Sequence, residues 1–117
     1  MMKKVYICAP LGASLGVSIE DNLQRVKKYT KYALQCGTAP VVPHFYALCL
    51  DDNIPKEREI GMTAGLSLLW FCDEMWIFGN VVTKGMQAEI QFCKNLNVPM
   101  KKISEKEIQK VIGGKCK

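Results

Sequence analysis

Apolar and polar positions change period several times along this 117-residue chain, and each change marks an element. Residues 3–9, K-K-V-Y-I-C-A, form a β-rich apolar run closed by Pro10, the pattern of a strand buried in a parallel sheet. Leu11 to Val17 holds two glycines and predicts a loop. From Ile19 to Cys36 the residues Ile19, Leu23, Val26, Tyr29, Tyr32 or Ala33, and Cys36 recur every three or four positions, which predicts an amphipathic helix. Ser18 is placed to cap it, with Asp21 three residues later, and Gly37 to stop it. Thr38 to Val42 reads as a second short strand, ended by Pro43, and His44 to Leu50 as an irregular or one-turn segment. Asp51 to Pro55 is a loop. Lys56 to Phe71 predicts a second helix with Ile60, Ala64, Leu68 and Phe71 on its apolar face. Asp73 to Phe78 is a third strand with Gly79 at its exit. Gly85 to Leu96 is a third helix, whose apolar face is Ala88, Phe92, Cys93 and Leu96. Val98 to Ile103 is a fourth strand and Glu105 to Ile112 a terminal helix, with residues 110–117 fraying into a tail.

Strand and helix thus alternate from end to end. The alternation predicts the α/β class: one domain over residues 1–117, with a parallel sheet covered by helices on both faces and joined by right-handed crossovers.

Composition narrows the setting. Apolar residues make up 49% and charged residues 23%, the balance of a globular chain. The net charge of +5 gathers at the end, where Lys101, Lys102, Lys106, Lys110, Lys115 and Lys117 face only Glu105 and Glu107. A solvated helix with a basic tail accounts for it. Nucleic-acid binding would call for aromatics among the basic residues, and this segment has none. None of the six cysteines forms a C-x-x-C pair, and Cys8, Cys72 and Cys93 lie inside apolar runs. The opening apolar run is too short for a signal-peptide core, and no stretch approaches the roughly 18 apolar residues that span a membrane. Free thiols in a reducing cytoplasm, with no membrane partner, are the expectation. The only histidine is His44, and without ligand spacing neither a metal nor a cofactor is expected.

In an open α/β sheet, ligands bind at the carboxyl ends of the strands, near the point where strand order reverses. That rule selects the loops after the strands. The first contributes Pro10 and Gly12, the second His44, and the third Gly79, Thr83, Gly85 and Met86 as candidate substrate or phosphate contacts. Thr83 and Gly85 stand where a helix begins, and exposed N–H groups there favour an anion. Glu89, one turn further on, either stabilises the helix N-terminus or points into the cleft. Tyr6 lies in the middle of the first strand, where it could equally be core. Asp73 begins the third strand, the wrong end for chemistry, and could cap the preceding helix. His44 could be a satisfied structural residue, and Arg58 either an anion ligand or the partner of Glu57 or Glu59. Gly12 and Gly16 match neither a Rossmann nor a Walker spacing.

Four segments, V-Y-I-C-A-P, P-V-V-P-H-F-Y, C-D-E-M-W-I-F-G and T-K-G-M-Q-A-E-I, resemble the nucleoside 2-deoxyribosyltransferase superfamily. The similarity is greatest to its small, often phage-encoded members, and it runs in order from about Lys4 to Ile103. The resemblance implies a flavodoxin-like doubly wound sheet of four to five parallel strands, a homo-oligomer, and cleavage or exchange of a base–deoxyribose bond in a nucleoside or nucleotide. By that resemblance Glu89 is the nucleophile, Tyr6 the tyrosine beside it and Asp73 the catalytic aspartate, while Thr83 approximates the phosphate-contacting hydroxyl of the related deoxynucleoside 5′-monophosphate N-glycosidases. The loop N-V-V-T-K-G lacks the acid common in the transferases. That suits an alternative: a protein that senses or sequesters a nucleotide-type ligand, for example one derived from ADP-ribose, without transforming it. A structural interaction protein using Trp70 and Trp76 at an interface is a third reading.

Overall fold

The computed structural model describes residues 2–11, 18–51 and 53–113. Its strands are β1 (Lys4–Cys8), β2 (Ala39–Val41), β3 (Glu74–Ile77) and β4 (Met100–Lys102). Between and after them lie α1 (Ile19–Gln35), a 3-10 turn (Pro43–Leu48), α2 (Pro55–Leu68) with a 3-10 extension (Leu69–Phe71), α3 (Lys84–Asn95) and α4 (Glu105–Ile108). The strands pair in parallel in the order β2-β1-β3-β4, the flavodoxin-like arrangement with four strands.

β1 is the pivot of this sheet. Tyr6 lies opposite Val41 of β2 on one side and Met75 of β3 on the other. The chain moves outward from β1 to β2, then crosses back to β3 and β4, so strand order reverses between β1 and β3. Successive side chains of a strand point to opposite faces. Val5, Ile7 and Ala9 therefore join Val26, Tyr29, Tyr32 and Ala33 of α1, with Trp76, Phe78 and Ile108, in one layer of core. Tyr29 stacks on Phe78 there, with ring centroids 4.5 Å apart. Tyr6 and Cys8 point the other way and pack with Leu69, Cys72, Met75, Met86 and Cys93 under α2 and α3. Both layers are apolar because both faces of the central strands are covered.

The ends of α1 follow the sequence expectation. The Ser18 hydroxyl accepts the Asp21 N–H at 3.1 Å, and Gly37 takes the left-handed backbone at φ 82° that ends a helix. The buried face of α2 does not. Ile60 and Phe71, expected inside, are 52% and 71% exposed, whereas Gly65 and Leu69 are buried. The reason is steric: a Cβ on Gly65 would lie 3.2 Å from both the Pro43 ring and the Tyr6 hydroxyl, and one on Gly61 3.2 Å from Leu50. Gly61 and Gly65 let the helix lie close to the 3-10 turn and Tyr6, while Leu66 and the expected Leu68 pack against the edge of the core. In α3 Cys93 is buried as expected, whereas Ala88 is exposed and Met86 is buried instead.

Two boundaries also move. The fourth strand, expected over residues 98–103, pairs only across Met100–Lys102. It is an exposed edge, and Lys101 and Lys102 discourage further strands from adding to it. Residues 110–113, expected to fray, continue α4 as a π-helical turn (Gln109–Gly113), because Ile112 packs against the core beside buried Ile108. Residues 114–117 lie outside the described ones. No helix among the described residues is long and apolar enough to cross a membrane.

Candidate functional site

A cavity of about 410 Å³ opens at the carboxyl ends of β1 and β2, on the face covered by α2 and α3. Its size lies within the range of small-molecule sites, about 300–1,000 Å³. Tyr6 and Ala9 form its floor, His44 comes from the 3-10 turn, Arg58 and Gly65 from α2, and Thr83, Met86 and Glu89 from the start of α3.

Glu89 is the centre of this cavity. The Tyr6 hydroxyl donates to its Oε2 at 2.5 Å, and the Cys8 thiol points at its Oε1 from 3.5 Å. Glu89 meets both because Tyr6 and Cys8 share one face of β1 and Glu89, 83 and 81 residues away in the chain, faces that strand from α3. Gly65 leaves room for the phenol, since a Cβ there would sit 3.2 Å from the Tyr6 hydroxyl, closer than ordinary contact. Burial is the main influence on the Glu89 carboxyl and pushes it up to about 7, although both donors pull it down. Burial, and then the negative charge of Glu89, raise Tyr6 and Cys8 far above their ordinary values. Both stay protonated and act as donors.

His44 is buried, and its Nε2 lies 3.0 Å from the Ala9 carbonyl. A carbonyl only accepts, so Nε2 carries the proton. Burial holds the imidazole below its ordinary value, with the Ala9 bond opposing. The ring is neutral, its one N–H is engaged, and Nδ1 has no partner among the described residues. His44 therefore has no free proton to give a departing group.

The start of α3 is capped by Thr83, whose Oγ1 accepts the Met86 N–H at 3.2 Å. The Lys84 and Gly85 N–H groups have no carbonyl one turn back to bond, as at any helix start. Lys84 stands beside them on the cavity wall. Gly85 lets α3 lie close to α2, since a Cβ there would be 3.2 Å from Met62.

The structure thus brings together Glu89, Tyr6, His44, Thr83, Gly85 and Met86, with Arg58 on the same wall. It does not bring Asp73. That side chain is exposed just before β3, and its Oδ2 accepts the Lys4 N–H at 2.8 Å. All strands of a parallel sheet begin at the same end, so Asp73 ties the starts of β1 and β3 at the end away from the cavity. Pro10 and Gly79 are also outside the lining. They pack on each other where β1 and β3 finish: Gly79 has φ 93°, and a Cβ on it would be 3.2 Å from the Pro10 ring. Gly12 lies outside the described residues. Sequence reasoning passed over Cys8 as core and did not single out Gly65 or Lys84. The signal for Cys8 was its place two residues after Tyr6, on the same face of a strand. Among the described residues no three His, Cys, Asp or Glu side chains gather as a metal site.

Compared in three dimensions, the chain is similar to the 2-deoxyribosyltransferase of the psychrotolerant bacterium Bacillus psychrosaccharolyticus, described as a biocatalyst for the synthesis of antiviral and antitumoral nucleosides. The TM-score is 0.65, covering 92% of this chain and 81% of that one, at 16% identity. At that identity the likeness is one of fold. No protein with a curated description matches the sequence. A family model does match, over residues 3–103, and the chain belongs to that family, a domain of unknown function designated DUF7768.

Proposed function

We propose that the protein cleaves or exchanges the bond between a base and a deoxyribose in a nucleoside or nucleotide, with Glu89 as the reacting carboxylate. The observation that carries this reading is the cavity-facing Glu89 held on both oxygens by Tyr6 and Cys8. The shared fold with a 2-deoxyribosyltransferase supports it.

Glycosidic cleavage builds positive charge on the anomeric carbon, which an adjacent carboxylate stabilises or bonds. A Glu89 oxygen would form a bond to that carbon as the bond to the base nitrogen breaks, its electron pair leaving with the base. The base takes its proton from water, because Asp73 is remote and His44 has none to give. Water then opens the glycosyl ester in a hydrolase, or a second base does so in a transferase. A 5′-phosphate would be met by Thr83, Lys84 and the start of α3. The activity needs no cofactor and belongs in the cytoplasm, where Cys8, Cys72 and Cys93 remain thiols. We also propose a homo-oligomer, supported by the exposed apolar side of α2.

The test is incubation with deoxynucleosides and their 5′-monophosphates, with free base read by chromatography. Glu89→Ala should lower base release by roughly three orders of magnitude or more while the protein stays folded. Turnover retained in that variant excludes Glu89. Thermal stabilisation by these compounds, or by ADP-ribose, without product would identify a binding protein instead.

A further inference from the structure

We infer that Cys8 is a positioning residue for Glu89: its thiol steadies carboxylate oxygen Oε1 from the sheet side, while the Tyr6 phenol fixes Oε2, so that the two donors together hold the carboxylate in place. The inference rests on Glu89 being the reacting carboxylate and adds a division of labour between its two donors.

The two contacts differ in kind. A phenol at 2.5 Å is a strong donor to a carboxylate, and Oε2 gives up much of its acceptor capacity to it. A thiol at 3.5 Å is a weak donor. It fixes the direction of Oε1 without neutralising its charge. Cys8 suits this place in a second way. It is fully buried, packed beside Leu69, Cys72 and Cys93, where sulfur behaves as a small apolar group. A serine there would bring a stronger donor and a hydroxyl into an apolar layer. An alanine would leave Oε1 without a partner on the sheet side.

Other titratable groups share the cavity wall with Glu89. The 3-10 turn presents neutral His44, α2 presents Glu57 and Arg58 on the cavity wall, and Lys84 stands at the start of α3. The Glu57 carboxylate accepts the Asp51 N–H at 2.9 Å. Burial keeps the Cys8 thiol protonated, so it stays a donor as Glu89 ionises.

The test reads Glu89 directly. Its side-chain carboxyl would be titrated by carbon-13 NMR in protein labelled at glutamate, with Glu89→Gln identifying the resonance. Cys8→Ser should lower the midpoint by about one pH unit, and Cys8→Ala should raise it by a similar amount. The pH dependence of base release should shift in the same order. Equal midpoints in wild type and both variants overturn the inference. A second measurement needs no Cys8 variant: an S–H stretching band in the infrared should move as Glu89 titrates and stay fixed in Glu89→Gln. Thiol bands insensitive to pH through that range in the wild type also overturn it. Midpoints that move in the stated order without any base being released uphold the role of Cys8 and refute the glycosidic reading instead.

Discussion

Taking Glu89 out of water disfavours its charge by more than the Tyr6 and Cys8 bonds favour it, so the carboxyl titrates near 7 rather than at its ordinary 4.5. Two outcomes follow at this one residue. Base release that requires the carboxylate should rise as pH passes through about 7 and level off above it. Stability should move the opposite way. Between about 4.5 and 7 the folded protein holds a proton at Glu89 that the unfolded chain has lost, so stability falls as pH rises through that window. The loss amounts to at most about 3 kcal/mol and is complete above 7. Glu89→Gln lacks this titration, so its advantage over wild type in urea unfolding should grow from pH 5 to pH 8. Parallel stability curves for the two proteins would show that Glu89 pays no such penalty for burial.

Helix α3 delivers Glu89, and its first turn is set by Thr83. That residue satisfies the Met86 N–H and fixes where the helix begins, hence which side chain meets β1 six residues later. Thr83→Ala should cost about 1 kcal/mol in thermal or urea unfolding, and Thr83→Ser should restore most of it. A loss as large in the serine variant would assign the effect to the threonine methyl group. The ends of α1 were legible in the sequence, since Ser18 and Gly37 sit where the apolar period starts and stops. The inward face of α2 was not. Of Ile60, Ala64, Leu68 and Phe71, read as core from their apolar side chains, Leu68 packs against the core but Ile60 and Phe71 face outward, and the close approach is made at Gly61 and Gly65. Hydrophobic periodicity measures what a side chain loses in water, and it is blind to a position chosen because nothing may project from it. The same blindness hid Cys8, whose apolar surroundings suggested packing and said nothing of the carboxylate that α3 would bring to it.

For the whole molecule, the alternation of strands and helices was enough to place the site at the carboxyl ends of the strands, and Glu89 and Tyr6 do meet there. Asp73, at the amino end of the third strand in the sequence reading, lies at that end of the sheet, bound to the Lys4 N–H and away from Glu89. The remaining global feature is the outward side of α2. Ile60, Trp70 and Phe71 are 52%, 66% and 71% exposed, and no charge occurs from Ile60 to Cys72. The small residues Thr63, Ala64 and Ser67 lie between those large ones along the helix. Trp70 also meets Phe92 edge to face at 6.3 Å, which carries the apolar surface onto α3. A helix apolar on both sides is normally covered on both. A neutral surface on a chain of net charge +5 favours an equally neutral partner, and two antiparallel copies of α2 could set Trp70 and Phe71 of each against Ile60 of the other around a two-fold axis. Sedimentation equilibrium at micromolar concentration should then give twice the 13.1 kDa of one chain. Trp70→Glu should return it to one chain, because a charge buried in that interface costs several kcal/mol, while the pH midpoint of Glu89 stays in place. A wild-type mass of one chain at that concentration would leave α2 facing water and remove the dimer.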